Sequence, residues 1–146
     1  MAALKGALGQ TKAYVDAMAL AGDNGIGKFI NRAKTTLPNV DRVTVDKRKV
    51  SEYALNPSNT SGGANKARVF ESALGYNQSN ADHLIVQIQE KLSASEAVMG
   101  KLDMYGQRFT VDIEVTGPNR KTAIVRTGWI LEPNTEVPRM TTIFVK

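Results

Sequence analysis

The 146-residue sequence contains no cysteine and one histidine. Without cysteine, a disulfide framework, a thiolate nucleophile and thiolate-bound zinc are excluded, and folding does not depend on the redox compartment. The lone His83 cannot build a histidine-rich metal site or a two-histidine acid–base pair. No stretch approaches the roughly 18 apolar residues that a membrane-spanning helix needs. The opening MAALKGALGQTK lacks the basic-then-apolar order of a secretory signal, so a soluble domain without stable membrane insertion is expected. Residues 1–20 either open the chain or are the tail of a longer protein. Also missing are a Gly-rich dinucleotide loop, a phosphate-binding loop, a Ser nucleophile elbow and a two-histidine metal helix. No cofactor and no metal are therefore expected, and Lys, Arg, Asp, Glu, Thr, Tyr or the one His must carry any chemistry.

What is present is the composition of an ordinary globular domain, 42% hydrophobic and 23% charged. A chain of this size buries roughly two-thirds of the surface its unfolded form exposes, enough for a core without staples. The formal net charge is +5, which attracts polyanions and makes nucleic acid or an acidic protein the expected partner.

Leu4, Leu8, Val15 and Met18 recur at helical intervals and predict a helix over 3–20, stopped by Gly22-Asp23-Asn24-Gly25. A second helix is expected over 26–36, with Ile26, Phe29, Ile30 and Ala33 opposite Lys28, Arg32 and Lys34, and Pro38 beyond it. The run Arg42-Val43-Thr44-Val45-Asp46 alternates like a short strand, and Val50, Tyr53 and Ala54 return to helical spacing before Asn56-Pro57. After a Ser/Asn/Gly-rich loop at 56–64, a helix from Asn65 to Leu74 buries Ala67, Phe70 and Leu74, with Gly75 as its C-terminal cap. Another starts at Ser79, with Ser79 and Asp82 spaced like a capping box. It carries Leu84, Ile85, Ile88 and Leu92 and ends before Gly100. From 107 the period becomes two. Phe109, Val111, Ile113 and Val115 alternate with Thr110, Asp112 and Glu114, and strands follow at 122–131 and 139–145. The fold class is α+β, with N-terminal helices packed on one face of a three-stranded antiparallel meander. Residues 1–40 are expected to form a separate helical segment ahead of the 41–146 domain.

Lys66 and Arg68 fall in the first turn of a helix, where its dipole disfavours cations. A bound phosphate would offset that cost; the alternative is that both side chains extend into water. His83 lies beside an apolar stripe, either satisfied by a neighbour or acting as a general acid or base near neutral pH. If Val125 and Trp129 point inward, Arg126 points outward, and the same argument from Ile143 and Val145 turns Thr142 outward. Asp112, Arg126 and Thr142 would then share the open face as a carboxylate, a guanidinium and a hydroxyl. The competing reading is a solvated face held by cross-strand ion pairs.

Several blocks together carry a resemblance. Lys-Val-Ser-Glu-Tyr-Ala-Leu-Asn-Pro from Lys49, Gly-Gly-Ala-Asn-Lys-Ala-Arg-Val-Phe from Gly62 and Leu74-Gly75-Tyr76 occur in order. They are followed by Tyr105-Gly106-Gln107, Gly117-Pro118-Asn119, Val125-Arg126-Thr127-Gly128-Trp129 and Pro138-Arg139-Met140-Thr141-Thr142. Over residues 42–146 the chain resembles an uncharacterised domain found at the C-terminus of bacterial polymorphic toxins, including contact-dependent growth inhibition effectors. The resemblance implies a toxin carried by a secreted or cell-surface effector into the cytoplasm of a target cell. A cognate immunity protein, expected to be acidic, would neutralise it, and residues 1–40 would serve uptake or linkage.

The helices-then-meander order is similar to the barnase/colicin/RelE-type ribonuclease fold, which implies a metal-independent endoribonuclease acting on transfer RNA. The positions that match the resemblance are Lys66, Arg126, Thr127, Arg139, Thr141 and Thr142, and His83 has no matching motif. In the expected mechanism Lys66 and Arg126 would stabilise phosphorane charge, while Thr142 and either Asp112 or His83 would position or move protons. Arg68, Thr127, Arg139 and Thr141 would contact substrate. Arg120 stands where the family's turn more often has Gly. The alternatives are a non-catalytic basic module that binds nucleic acid or an acidic protein, and a metal-requiring DNase.

Overall fold

The structure, a computed structural model, describes residues 35–146. The helix expected over 3–20, nearly all of that expected over 26–36 and most of the 1–40 segment lie outside the described residues. Within them the architecture is α+β. Helices α1 (Gly63–Leu74) and α2 (Ala81–Leu92) precede an antiparallel sheet of β1 (Ala97–Asp103), β2 (Gly106–Thr116), β3 (Thr122–Leu131) and β4 (Arg139–Val145), in the order β1-β2-β3-β4. A π-helical turn spans Lys49–Ala54, and 3₁₀ turns lie at Val40–Arg42 and Gln78–Asn80.

Helix α1 forms where Ala67, Phe70 and Leu74 recur at three- and four-residue spacing and bury one face. It stops because Gly75 adopts φ +81°, which only glycine enters at little cost, and the amides of Gly75 and Tyr76 donate to Glu71 O and Phe70 O. Helix α2 buries Ala81, Leu84, Ile88 and Leu92. The capping box is not at Ser79 and Asp82 but on the 3₁₀ turn Gln78–Asn80 that leads into α2. Asn77 Oδ1 accepts from the Ser79 amide at 2.9 Å, and Asn80 Oδ1 accepts from the Asn77 amide at 2.8 Å.

Two expectations need correction. Helix α2 ends at Leu92, before Gly100 as expected, but residues 97–103, for which the sequence predicts no strand, form β1, so the meander has four strands rather than three. The segment Arg42–Asp46 is not a strand, although its alternation is real. Val43 and Val45 are 3% and 8% exposed, while Thr44 and Asp46 face solvent. Among the described residues no neighbouring strand pairs with it. The Gln89 carboxamide takes that place, accepting from the Val45 amide at 2.6 Å and donating to Val43 O at 3.2 Å.

Gln87 does the same for the free edge of β2, which outruns its pairing with β1. Its side chain accepts from the Thr116 amide at 3.0 Å and donates to Thr116 O at 2.7 Å, while Lys91 Nζ donates to Glu114 O at 2.7 Å. Buried backbone polar groups need partners, and side chains from α2 supply them where strands are absent.

The inner sheet face, with Phe109, Val111, Ile113, Val115, Val125, Trp129, Met140 and Ile143, meets Phe70, Leu74, Leu84 and Ile88 in one core. Val50, Ala54 and Leu55 join from the π-helical turn, and Leu37 joins from the chain ahead of it. Among the described residues no helix covers the outer face, where Thr110, Asp112, Glu114, Ile124 and Arg126 are all at least partly exposed. No helix of the described residues is long and apolar enough to cross a membrane.

Candidate active site on the open face of the sheet

Lys66 projects from the N-terminal half of α1 to the β4 edge of the sheet. Its ammonium donates to Thr142 Oγ1 at 2.8 Å and stands 4.8 Å from the ring centroid of Tyr53 and 5.6 Å from that of Phe144. The π-helical turn brings in Tyr53, whose hydroxyl donates to Ser61 O at 3.2 Å and so ties the loop ahead of α1 to this corner. Thr142 is set by an irregularity between β3 and β4. Gly128 pairs with Thr142 but Trp129 pairs with Met140, leaving Thr141 as the extra residue of a bulge. A Cβ on residue 128 would lie 2.8 Å from Thr142 Cγ2, so glycine there makes room for the threonine. None of the ion pairs formed by the described residues includes Lys66, so two aromatic rings and a hydroxyl, not a carboxylate, surround its charge.

Arg126 is differently placed. It is the cross-strand partner of Asp112, and its Nε and Nη2 donate to the two carboxylate oxygens at 2.8 and 2.9 Å. Lys146 Nζ adds a second cation, 3.2 Å from Asp112 Oδ2. The Arg126 hydrogen bond, with Lys146 in support, holds the Asp112 carboxyl below its ordinary range and makes it a weak base; the same pairing raises Arg126. The group carries one net positive charge. On β4, Phe144 lies opposite Arg126 and Thr142 lies opposite Gly128, so the register puts Arg126 and Thr142 one step apart diagonally on the same face. Beside Arg126, toward β1, a cleft of about 780 Å³ is lined by Lys91, Val98, Thr110, Asp112 and Glu114 among others.

Residues 36–146 match the model of the Domain of unknown function (DUF6883). The chain belongs to this family. No curated protein matches the sequence. Among solved structures, the DUF6883 domain is similar to a chain of a contact-dependent growth inhibition toxin–immunity protein complex from Klebsiella pneumoniae 342. The TM-score is 0.56 at 17% identity, over 73% of this chain and 96% of that one. At that identity the likeness is one of fold.

The DUF6883 domain thus brings Lys66, Thr142, Arg126 and Asp112 to one face and leaves the other sequence candidates elsewhere. His83 is exposed on α2, with Nδ1 2.7 Å from the Tyr76 hydroxyl, in a network with Gln87 and Thr116 O at the far end of the β2–β3 ladder. Burial pushes the Tyr76 hydroxyl above its usual range, against the opposing hydrogen bond from Gln87.

Thr127 faces the core, fully buried. Its hydroxyl donates to Val111 O at 2.7 Å and accepts from the Trp129 indole at 2.8 Å, so it supports the sheet and is closed to substrate. Arg68 is exposed and donates to Asn65 Oδ1. Arg139 is held by Glu132 at 2.8 and 3.3 Å, a pairing that lowers the carboxyl and raises the guanidinium. Thr141 sits at the bulge beside Gly128.

Sequence reasoning overlooked Tyr53, Phe144 and Lys146. Phe144 had a signal, because the alternation that turns Ile143 inward turns its neighbour outward. Tyr53 had none, since its helical spacing marked it as core. Among the described residues, no three His, Asp or Glu side chains converge.

Proposed function

We propose that this DUF6883 domain is the toxin of a toxin–immunity pair and that it cleaves RNA, transfer RNA in particular, at the Lys66–Thr142 corner of the open sheet. The observation that carries the reading is the Lys66 ammonium, unpaired by any carboxylate among the described residues and fixed on Thr142 beside Arg126. A cation held without a counter-ion on an accessible face is poised for an external anion. The fold likeness to a chain of a toxin–immunity complex supports a related fold, of the barnase/colicin/RelE type in this reading. The net charge of +5 favours the toxin side, because that side must meet a polyanion.

In this scheme the 2′-hydroxyl of the substrate attacks the adjacent phosphorus and the bond to the 5′-oxygen breaks, leaving a 2′,3′-cyclic phosphate. Lys66 and Arg126 balance the charge that grows on the non-bridging oxygens. Asp112 shares the open face with Arg126 whereas His83 does not; as the phosphate draws Arg126 off its oxygens the carboxylate regains basicity and takes the 2′-hydroxyl proton, and Lys66 returns one to the leaving oxygen. Thr142 fixes the ammonium. The reaction as written uses no metal. The domain would reach the target-cell cytoplasm from a secreted or surface effector, and an acidic immunity protein would cover the basic face, with association slowed by salt.

One observation favours a non-catalytic basic module instead: Arg126 and Arg139 are both already neutralised by carboxylates, as on a solvated face. Total RNA incubated with the purified chain in EDTA, together with growth after induced cytosolic expression, separates the two. Cleavage and growth arrest are expected. RNA that shifts in mobility but stays intact, with normal growth, would establish the binding module in place of the nuclease.

A further inference from the structure

The side of the Lys66 corner formed by α1 and the end of β4 is a pocket of about 370 Å³ lined by Asn65, Lys66, Val69, Phe144 and Val145. Its walls are apolar where a solvated face would be polar. Val69 is 44% exposed on α1, and Phe144 projects from the face of β4 opposite the buried Ile143. Three features bear on what fills it. The Phe144 ring offers a flat aromatic surface beside Lys66. Asn65, whose oxygen is taken by Arg68, keeps its amide nitrogen for an acceptor at the rim. Lys66 Nζ stands 5.6 Å from the ring and Arg126 lies opposite Phe144 on the ladder, and with Lys146 these cations outnumber the one carboxylate, Asp112, among them, so the occupant carries negative charge outside the pocket.

A flat, hydrogen-bonding, uncharged group attached to an anionic backbone is a nucleobase on its phosphate, and aromatic side chains next to cations are how single-stranded nucleic acid is held. Inside a duplex each base is stacked on both faces and paired along its edge, so neither is free to enter a pocket. We propose that this pocket takes one unstacked base of single-stranded RNA, with Phe144 stacking on it, Asn65 reading its edge and Lys66 holding the neighbouring phosphate at Thr142. The inference rests on the ribonuclease reading for its biological setting, but base capture itself does not require cleavage. It makes the substrate a loop or an unpaired end, not a helix.

The test uses the full chain and an uncleavable probe, a 2′-O-methylated single-stranded RNA oligonucleotide carrying 2-aminopurine. The wild-type chain should quench the fluorophore. Phe144→Ala should bind about tenfold or more weakly, the scale of one lost base stack, while Phe144→Tyr binds as the wild type does. Val69→Asp, at an exposed position, should weaken binding without lowering the melting temperature. The same oligonucleotide annealed to its complement, where the fluorophore is already stacked and dim, should show no further change when the chain is added. Equal binding and quenching by Phe144→Ala, or no quenching by the wild type, overturns the pocket. Quenching without cleavage of natural RNA sinks the nuclease reading and leaves the pocket standing. Cleavage with Phe144-independent binding does the reverse.

Discussion

Replacing Lys66 by alanine is the perturbation that separates a catalytic ammonium from a structural strut. The side chain makes one charge-assisted hydrogen bond and two ring contacts. Each ring contact contributes about 0.5–1 kcal/mol at a partly exposed site, and the hydrogen bond about 1 kcal/mol once its competition with water is discounted. Their loss is partly recovered by hydration, so a cost of about 1–2 kcal/mol is expected, or a fall in melting temperature of about 4–8 °C for a domain of this size. If the ammonium stabilises charge in the transition state, cleavage should slow far more than that cost suggests, by about 100- to 1,000-fold. Lys66→Met keeps most of the aliphatic stem against Tyr53 and Phe144, so its melting temperature should lie nearer the wild type while its cleavage is as slow as that of alanine. The assays are thermal denaturation and single-turnover cleavage of the same preparations. Cleavage by Lys66→Ala within threefold of wild type, with the lowered melting temperature, would refute the reasoning and leave Lys66 as a tie between α1 and β4.

Arg126→Ala should slow single-turnover cleavage about 100-fold and lower the melting temperature slightly, because Asp112 loses the partner that holds its carboxyl low, and Arg126→Lys should not restore cleavage, since an ammonium cannot reproduce the forked geometry; the same melting shift with normal turnover would mark a sheet ion pair only. Acid sensitivity follows from Asp112 and Glu132, whose carboxyls are held low by Arg126 and Arg139. A depressed folded value stabilises above the unfolded carboxylate value of about 4 and is lost as pH falls through the folded one, so the melting temperature should hold down to about pH 4 and drop below it. Asp112→Asn should lower the neutral-pH value and flatten that acid limb; an unchanged limb would contradict the assignment. Gln89→Ala should cost about 1–3 kcal/mol in urea denaturation, because it strands the Val45 amide and the Val43 carbonyl; no change would mean that water replaces the carboxamide.

The legible parts of the fold are those where one periodicity serves one buried face. Phe109 through Val115 alternate because β2 packs on the helices with one side only, and the turns at Gly117 and Glu132 carry their own residue signals, so β2, β3 and β4 can be placed from sequence. β1 could not be. Only its first residue, Ala97, is buried, Val98 and Leu102 face solvent at 58% and 53% exposure, and the register shifts between Met99 and Leu102. A strand that buries almost nothing and is interrupted by a bulge has no period to read. The Arg42–Asp46 run failed in the opposite sense, since alternation reports which side is buried and says nothing of what pairs with the backbone. Gln87 and Gln89 stand on α2 like any solvated glutamine, and their role appears only when the helix lies beside an unpaired edge.

The site divides along the same line. Asp112, Arg126 and Thr142 could be set on one face from alternation alone, because facing is a local property of each strand. Lys66 could be suspected from its helix position, but its meeting with Thr142 depends on how α1 crosses the end of β4, a separation of 76 residues that no pattern encodes. The structure also ranks the two cations in a way sequence could not. Arg126 faces a carboxylate that takes two of its hydrogen bonds, so an incoming phosphate must compete with Asp112 for the guanidinium. Lys66 faces only a hydroxyl and two rings among the described residues, so a phosphate adds to its contacts without displacing an anion. Binding energy at Lys66 is therefore available on arrival, whereas at Arg126 it is the difference between two anions. If the domain takes RNA phosphates as proposed, Lys66 should make the larger contribution to their capture, and Arg126 should act where charge grows beyond what Asp112 already satisfies.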